Sequence, residues 1–217
     1  MPRASARHGA GALIWVIGAR TRPRNHRGMT PIVRRLLWLN ALAFALELVW
    51  PAVVDAGALW PLAHGFRPWQ LLTHAFLHGG LGHLATNLFG LWMFGRDVER
   101  VLGSRRFLEL YLASVLCAAG AQLLATALTH ETEPTLGASG GVFGILGAFA
   151  LLFPRRVILL LFPPIPLPAP LFVALYALFE LFAGVSGAQA GVAHFAHLGG
   201  LAGGLLALRH WRRQAWA

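Results

Sequence analysis

The sequence predicts an all-α, polytopic membrane protein: a bundle of six transmembrane helices with both termini on the cytoplasmic side. Three observations carry this expectation. Of 217 residues, 57% are apolar and only 12% charged, and mean hydropathy is +0.61, whereas a soluble domain carries about 25% charge. Apolar runs almost free of charge recur along the chain, with lengths suited to a hydrocarbon core. Every one of the 18 basic side chains is arginine, and they gather at the ends of those runs.

The net charge of +10 raises nucleic-acid binding as a possibility. The arginines flank apolar spans, however, where they set orientation in a bilayer, so no nucleic-acid partner is expected. The single cysteine, Cys117, lies inside an apolar run and forms no intrachain disulfide.

Taken in order, residues 1–30 are expected to form a disordered cytoplasmic tail. They hold six arginines and one apolar run, Ala12 to Ala19, too short to span a bilayer. Met29-Thr30-Pro31 offers an alternative translation start. The membrane domain then occupies residues 31–210, followed by a short cytoplasmic tail, 211–217. Span one is expected from Leu36 to Val54, after Arg34 and Arg35. The loop Asp55 to Pro68, rich in Trp, Pro and Gly, suits the membrane interface. Span two covers Leu81 to Phe94, and a charged connection from Arg96 to Arg106 leads to span three, Phe107 to Leu128. Span four runs from Ser139 to Phe153 and stops at Pro154-Arg155-Arg156. Prolines at 163, 164, 166, 168 and 170 forbid a continuous helix from Val157 to Pro170. Span five is Leu171 to Ala183, and span six Gly191 to Leu208.

Six spans put both termini on one side. With that side called inside, every arginine except Arg67 falls inside, as the positive-inside rule requires. The expected location is therefore integral and multi-pass, with both termini cytoplasmic.

Helical rise places three polar side chains at one depth. Counted from the inner ends of their spans, Ser139 lies about 22 Å up, His197 about 18 Å and His83 about 20 Å, with Asn87 one turn below His83. Ionisable groups at such depth usually line water or one another. Span four, at about 22 Å, is too short to cross a core of about 30 Å. Its N-terminus, with Ser139, must begin below the outer surface, enclosed by protein or bordering a water-filled cavity. The unpaired N–H groups there favour developing negative charge.

A serine becomes a nucleophile when a neighbouring base takes its proton, and His197 is the candidate base. Small-residue faces on span four (Gly140, Gly144) and span six (Gly199, Gly200, Gly203, Gly204) would let the two helices meet. His83 and Asn87 offer side-chain donors for an oxyanion, beside the Ser139 N–H. Glu180 is the only carboxylate in the outer half of spans four to six and lies near a helix end, so the expected unit is a Ser–His dyad without a third acid. Ser139 alone would more often be a small packing residue, since Gly, Ala and Ser faces are common in membrane helices. Gly137-Ala-Ser139-Gly-Gly141 also fits the soluble G-x-S-x-G elbow, but that elbow needs a preceding strand, and a short polar loop precedes it here. His194, one turn before His197, competes for the base role; its spacing to the glycines makes it a cavity-lining residue instead. His74, His78 and His83 have no carboxylate or thiolate companion, so no metal and no cofactor is expected. Glu47, inside span one, has no partner identifiable from sequence.

Four motifs between Trp69 and Gly204 resemble the rhomboid family of intramembrane serine proteases. They are His74-xxx-His78-xxxx-His83-xxx-Asn87, Glu99-Arg-Val-Leu-Gly103, Gly137-Ala-Ser139-Gly140 and Ala196-His197-Leu-Gly-Gly200. The resemblance implies the six-span bacterial-type rhomboid bundle, with Ser139 as nucleophile, His197 as base, and His83 and Asn87 as oxyanion donors. Gly137, Phe143 and His194 would line the substrate cavity. Some members carry a tyrosine stacked on the histidine where this chain has Phe143; its ring can still stack but has no hydroxyl. The implied partners are transmembrane protein substrates and the lipid bilayer. A catalytically inactive relative that binds membrane-protein clients is the alternative, and such relatives typically lack the serine or the histidine. A transporter would show an internal repeat or helices broken at the midplane, and no repeat is visible.

Overall fold

The computed structural model describes residues 28–160, 164–188 and 191–214. The expected N-terminal tail lies outside these residues apart from Gly28, Met29 and Thr30. A helix lies over each of the six expected spans. Two of the helical runs, Leu81–Thr129 and Ala169–Ser186, are long and apolar enough to cross a bilayer, and Ser139–Leu152 is apolar but shorter.

Helix α1, Pro31–Val49, starts five residues earlier than expected. Pro31 needs no donor at the first helical position. The next two backbone N–H groups, of Ile32 and Val33, donate to the two oxygens of Glu99 at 3.0 and 2.9 Å, and Ser104 Oγ donates to the same carboxylate at 2.7 Å. A distant side chain therefore supplies the cap that local sequence lacks. The helix ends where Trp50 precedes Pro51, since α geometry is disfavoured before proline. A short α2, Ala52–Gly57, and α3, Gln70–Thr73, follow, the latter continued by a 3₁₀ turn at His74–Phe76.

The run α4, Leu81–Thr129, bends at Gly103, whose φ of 77° is open to glycine. Its two arms, 81–102 and 104–129, correspond to spans two and three. The charged connection between them is helical on either side of Gly103, and its charges pair along each arm: Arg100 with Asp97 at 2.7 Å and Arg105 with Glu109 at 2.9 Å.

Helix α5, Ser139–Leu152, matches span four within one residue and forms the centre of the bundle. The proline-rich segment contains no helix before Ala169. Instead, Val157–Leu159 (β1) pairs antiparallel with Pro166–Pro168 (β2), a two-stranded ribbon whose outer edges tolerate proline; the all-α expectation is corrected to that extent. Helix α6 is Ala169–Ser186 and α7 His194–Gln214. Gly191, at φ 88°, keeps α7 from starting where span six was expected. The helix runs through Arg209 and Arg212 into the expected tail, helped by Trp211, which packs against the core under Arg106 at 5.7 Å.

The core lies between the second arm of α4, α5 and α7, with Phe107, Tyr111 and Ile145 fully buried. Helices α5 and α7 touch backbone to backbone. A Cβ at Gly200 would collide with the Gly140 carbonyl, and one at Gly204 would lie 2.7 Å from Gly144 Cα. By contrast, α6 buries only Ala169, Glu180 and Ala183, while Leu171, Leu175, Leu178 and Phe182 face outward. An apolar helix with an apolar outer face suits lipid rather than water.

Candidate functional site

The site is assembled at the start of α5. The preceding loop is stitched to the first loop by an isolated bridge, Leu59 with Thr135 (N–H to O, 2.8 and 2.9 Å), and by Gly137 N–H donating to His74 O at 2.9 Å. Gly137 has φ 132°, and a Cβ there would lie 2.8 Å from the His83 ring. Glycine thus allows the chain to turn into α5 with the His83 imidazole against it. Ala138 precedes the helix, and Ser139 is its first residue.

Because the glycine contacts draw α5 and α7 together, Ser139 Oγ lies 2.9 Å from His197 Nε2. Phe143, one turn along α5, stacks on the His197 ring with centroids 4.4 Å apart and planes 5° from parallel, and Tyr176 of α6 packs on Phe143 in turn. His83 Nδ1 accepts a hydrogen bond from Gly79 N–H at 3.4 Å. That leaves Nε2 of a neutral His83 as the protonated, donating nitrogen, and it is among the ring atoms nearest Gly137. Asn87 is buried, and its Nδ2 donates to His83 O, one turn up, at 3.0 Å. Ser139, His83, Asn87, Phe143 and His197 line one cavity of about 930 Å³. His194 lines the same cavity, whereas Gly137 packs against the His83 ring beside it.

Two acidic groups take positions that the sequence did not foretell. Glu47 accepts the His78 backbone N–H on both oxygens, at 3.1 and 3.2 Å, tying α1 to the first loop. Glu180, which the sequence places outside the dyad, accepts from His197 Nδ1 at 2.9 Å and from His194 Nδ1 at 2.7 Å. The carboxylate therefore lies behind His197, on the ring edge opposite Ser139. The available signal was a lone carboxylate within an apolar run; the rotation of α6 about its axis was what the sequence lacked. His194 turns to Glu180 and to Ala188 O, at 3.1 Å, rather than to Ser139.

A half-buried serine–imidazole contact opening into a cavity of an apolar helical bundle defines a class of integral membrane protein with hydrolase-like geometry. The Rhomboid domain model matches residues 65–213, well over half of the chain, and the chain belongs to the rhomboid family. It is similar to Rhomboid protease GluP of Bacillus subtilis, 45% identical over 80 residues, covering 37% of this chain and 15% of that protein. Rhomboid protein 1, mitochondrial, of Saccharomyces cerevisiae is 37% identical over 99 residues, covering 45% and 29% respectively. Putative rhomboid protease YdcA of Bacillus subtilis is 36% identical over 96 residues, covering 42% and 45%. The matched region thus spans less than half the length of each of these relatives.

Proposed function

We propose that this protein is an intramembrane serine endopeptidase that cleaves transmembrane segments of other membrane proteins. The observation that carries the reading is the 2.9 Å contact between Ser139 Oγ and His197 Nε2 at the wall of the cavity. The names of its relatives, rhomboid proteases among them, support the same class.

In this reading, His197 Nε2 takes the proton as Ser139 Oγ attacks the scissile carbonyl. The oxyanion is met by the Ser139 N–H, His83 Nε2–H and the Asn87 amide. The His197 imidazolium then protonates the leaving amine as the C–N bond breaks. Water enters, gives a proton to His197 and attacks the acyl carbon. Release of the carboxylic acid restores the Ser139 hydroxyl. A substrate helix must unwind locally, because its peptide bonds are shielded by their own hydrogen bonds. The bundle is proposed to cross the membrane six times with both termini cytoplasmic, and α5 to begin below the outer surface.

The test uses purified protein in detergent with a fluorogenic transmembrane substrate. Ser139→Ala and His197→Ala are each expected to lower kcat by about 10³-fold or more. Cleavage that persists at the wild-type rate in both variants overturns the reading.

A further inference from the structure

After Glu133 the chain carries one carboxylate, Glu180. It lies on α6, whose only other buried residues are Ala169 and Ala183, and it is 2% exposed. A buried carboxylate is costly unless donors meet it, and two do. His194 Nδ1 and His197 Nδ1 both reach Glu180 Oε2, at 2.7 and 2.9 Å. His194 has a further constraint, since its Nε2 faces the Ala188 carbonyl at 3.1 Å. Its ring is therefore held at both edges. His197 differs. Its Nδ1–H points to Glu180, so its Nε2 presents a lone pair to the Ser139 hydroxyl, as a base requires.

We propose that Glu180 is the positioning residue of this site, fixing the tautomer and orientation of His197, and that His194, on the same carboxylate oxygen, holds Glu180 in place. The inference rests on Ser139 and His197 acting as nucleophile and base. Stacked Phe143 fixes the plane of the His197 ring; Glu180 fixes which edge faces Ser139. The unit is then Ser139–His197–Glu180–His194, four groups on three helices, rather than a dyad. The other titratable groups near this chain of contacts are His83 on α4 and Tyr176 on α6.

Glu180→Gln, close in size, is expected to lower kcat by about 10²-fold with KM nearly unchanged, since its amide can donate to Nδ1 and favour the wrong tautomer. Glu180→Asp keeps an acceptor for Nδ1 and is expected to recover part of that loss. A split between kcat and KM, with recovery by the second carboxylate, is not expected from a merely structural role. Covalent labelling of Ser139 by a fluorophosphonate should slow and recover in parallel.

A kcat and labelling rate within threefold of wild type in folded Glu180→Gln overturns the proposal, as does a Glu180→Asp variant no faster than Glu180→Gln. Should Glu180→Gln fail to fold, His194→Gln decides it: a lowered kcat with KM unchanged supports the proposal, and a wild-type kcat sinks it. The labelling arm separates this inference from the proposed function. Wild type that labels at Ser139 but cleaves no transmembrane substrate removes the function and leaves the positioning role standing. Wild type that cleaves, with Glu180→Gln its equal, removes the positioning role alone. The ligand atoms of Glu180, His194 and His197 lie within 4.8 Å of one another, so a divalent cation is the competing occupant. Wild-type activity that survives EDTA supports the hydrogen-bonded arrangement; activity lost to EDTA and restored by Zn²⁺ overturns it.

Discussion

His78 is buried in the first loop, with its backbone N–H on Glu47, its ring Nδ1–H donating to Phe76 O at 3.2 Å and its ring edge against His83 at 5.2 Å. Burial, and then the charge of neighbouring His83, push its pKa down to about 4 from an ordinary 6.5. Burial lowers His74, one turn away, as well. A histidine depressed in the folded state leaves the unfolded chain holding more protons between the two values, so stability falls as pH drops from about 6.5 toward 4 and is level above that window. Thermal unfolding in detergent should therefore show a melting temperature that declines through that range. The decline should be shallower in His78→Asn, which cannot take up the proton. An unchanged slope in that variant would mean that other groups govern acid sensitivity. At this same scale, Gly137 and His83 are one fitted pair: φ 132° at Gly137 is what lets the imidazole lie against the loop that leads into Ser139.

At the scale of elements, the distance between α5 and α7 governs the chemistry. Gly140 meets Gly200 and Gly144 meets Gly204, backbone on backbone, and both contacts follow Ser139 and His197 along their helices, the first within one turn and the second one turn further. Close glycine contacts of this kind are how helices associate in lipid, where apolar surface alone gives no preference for protein over solvent. A methyl at Gly200 cannot be accommodated without separating the helices. Gly200→Ala is expected to destabilise the bundle by about 1–3 kcal/mol and to lower cleavage about 10²-fold, since an ångström of misplacement at a reacting centre has that effect. Gly120, in the second arm of α4, has open space at its Cβ position. Gly120→Ala should be neutral or stabilising by about 0.5–1 kcal/mol. Melting temperature and cleavage rate measured side by side check both. Equal effects at the two glycines would refute the contact argument.

The whole molecule is turned inside out relative to a soluble domain. Helix α6 presents Leu171, Leu175, Leu178 and Phe182 outward and keeps a carboxylate within. The charged connections at Arg96 to Arg106 and at Arg155-Arg156 lie at the same end of the helical hairpins, joined by Arg156 Nη1 and Asp97 Oδ2 at 4.0 Å. That end is the one expected to face the cytoplasm. Reporter fusions test the orientation in a bacterial host. Alkaline phosphatase fused after His64 or after Glu131 should be active, and green fluorescent protein fused at the C-terminus should fluoresce. An active phosphatase at the C-terminus would contradict six crossings with both ends inside.

What the sequence determined by itself was the helical, apolar architecture and the residues that gather at its centre. Hydropathy and arginine placement mark helix locations, and glycine spacing marks the faces that touch, because both are periodic in the chain. Ser139, His197, His83 and Asn87 were legible from depth along their helices together with their family motifs. Only the tertiary structure decided how each helix is rotated and which distant groups complete its ends. Glu99 caps α1 from 66 and 67 residues away, Glu47 holds the first loop, and Glu180 reaches His194 and His197 of α7. Each is a carboxylate in apolar surroundings, where the cost of burial dictates that donors must be found. The sequence states that requirement, and only the packing of helices names the donors.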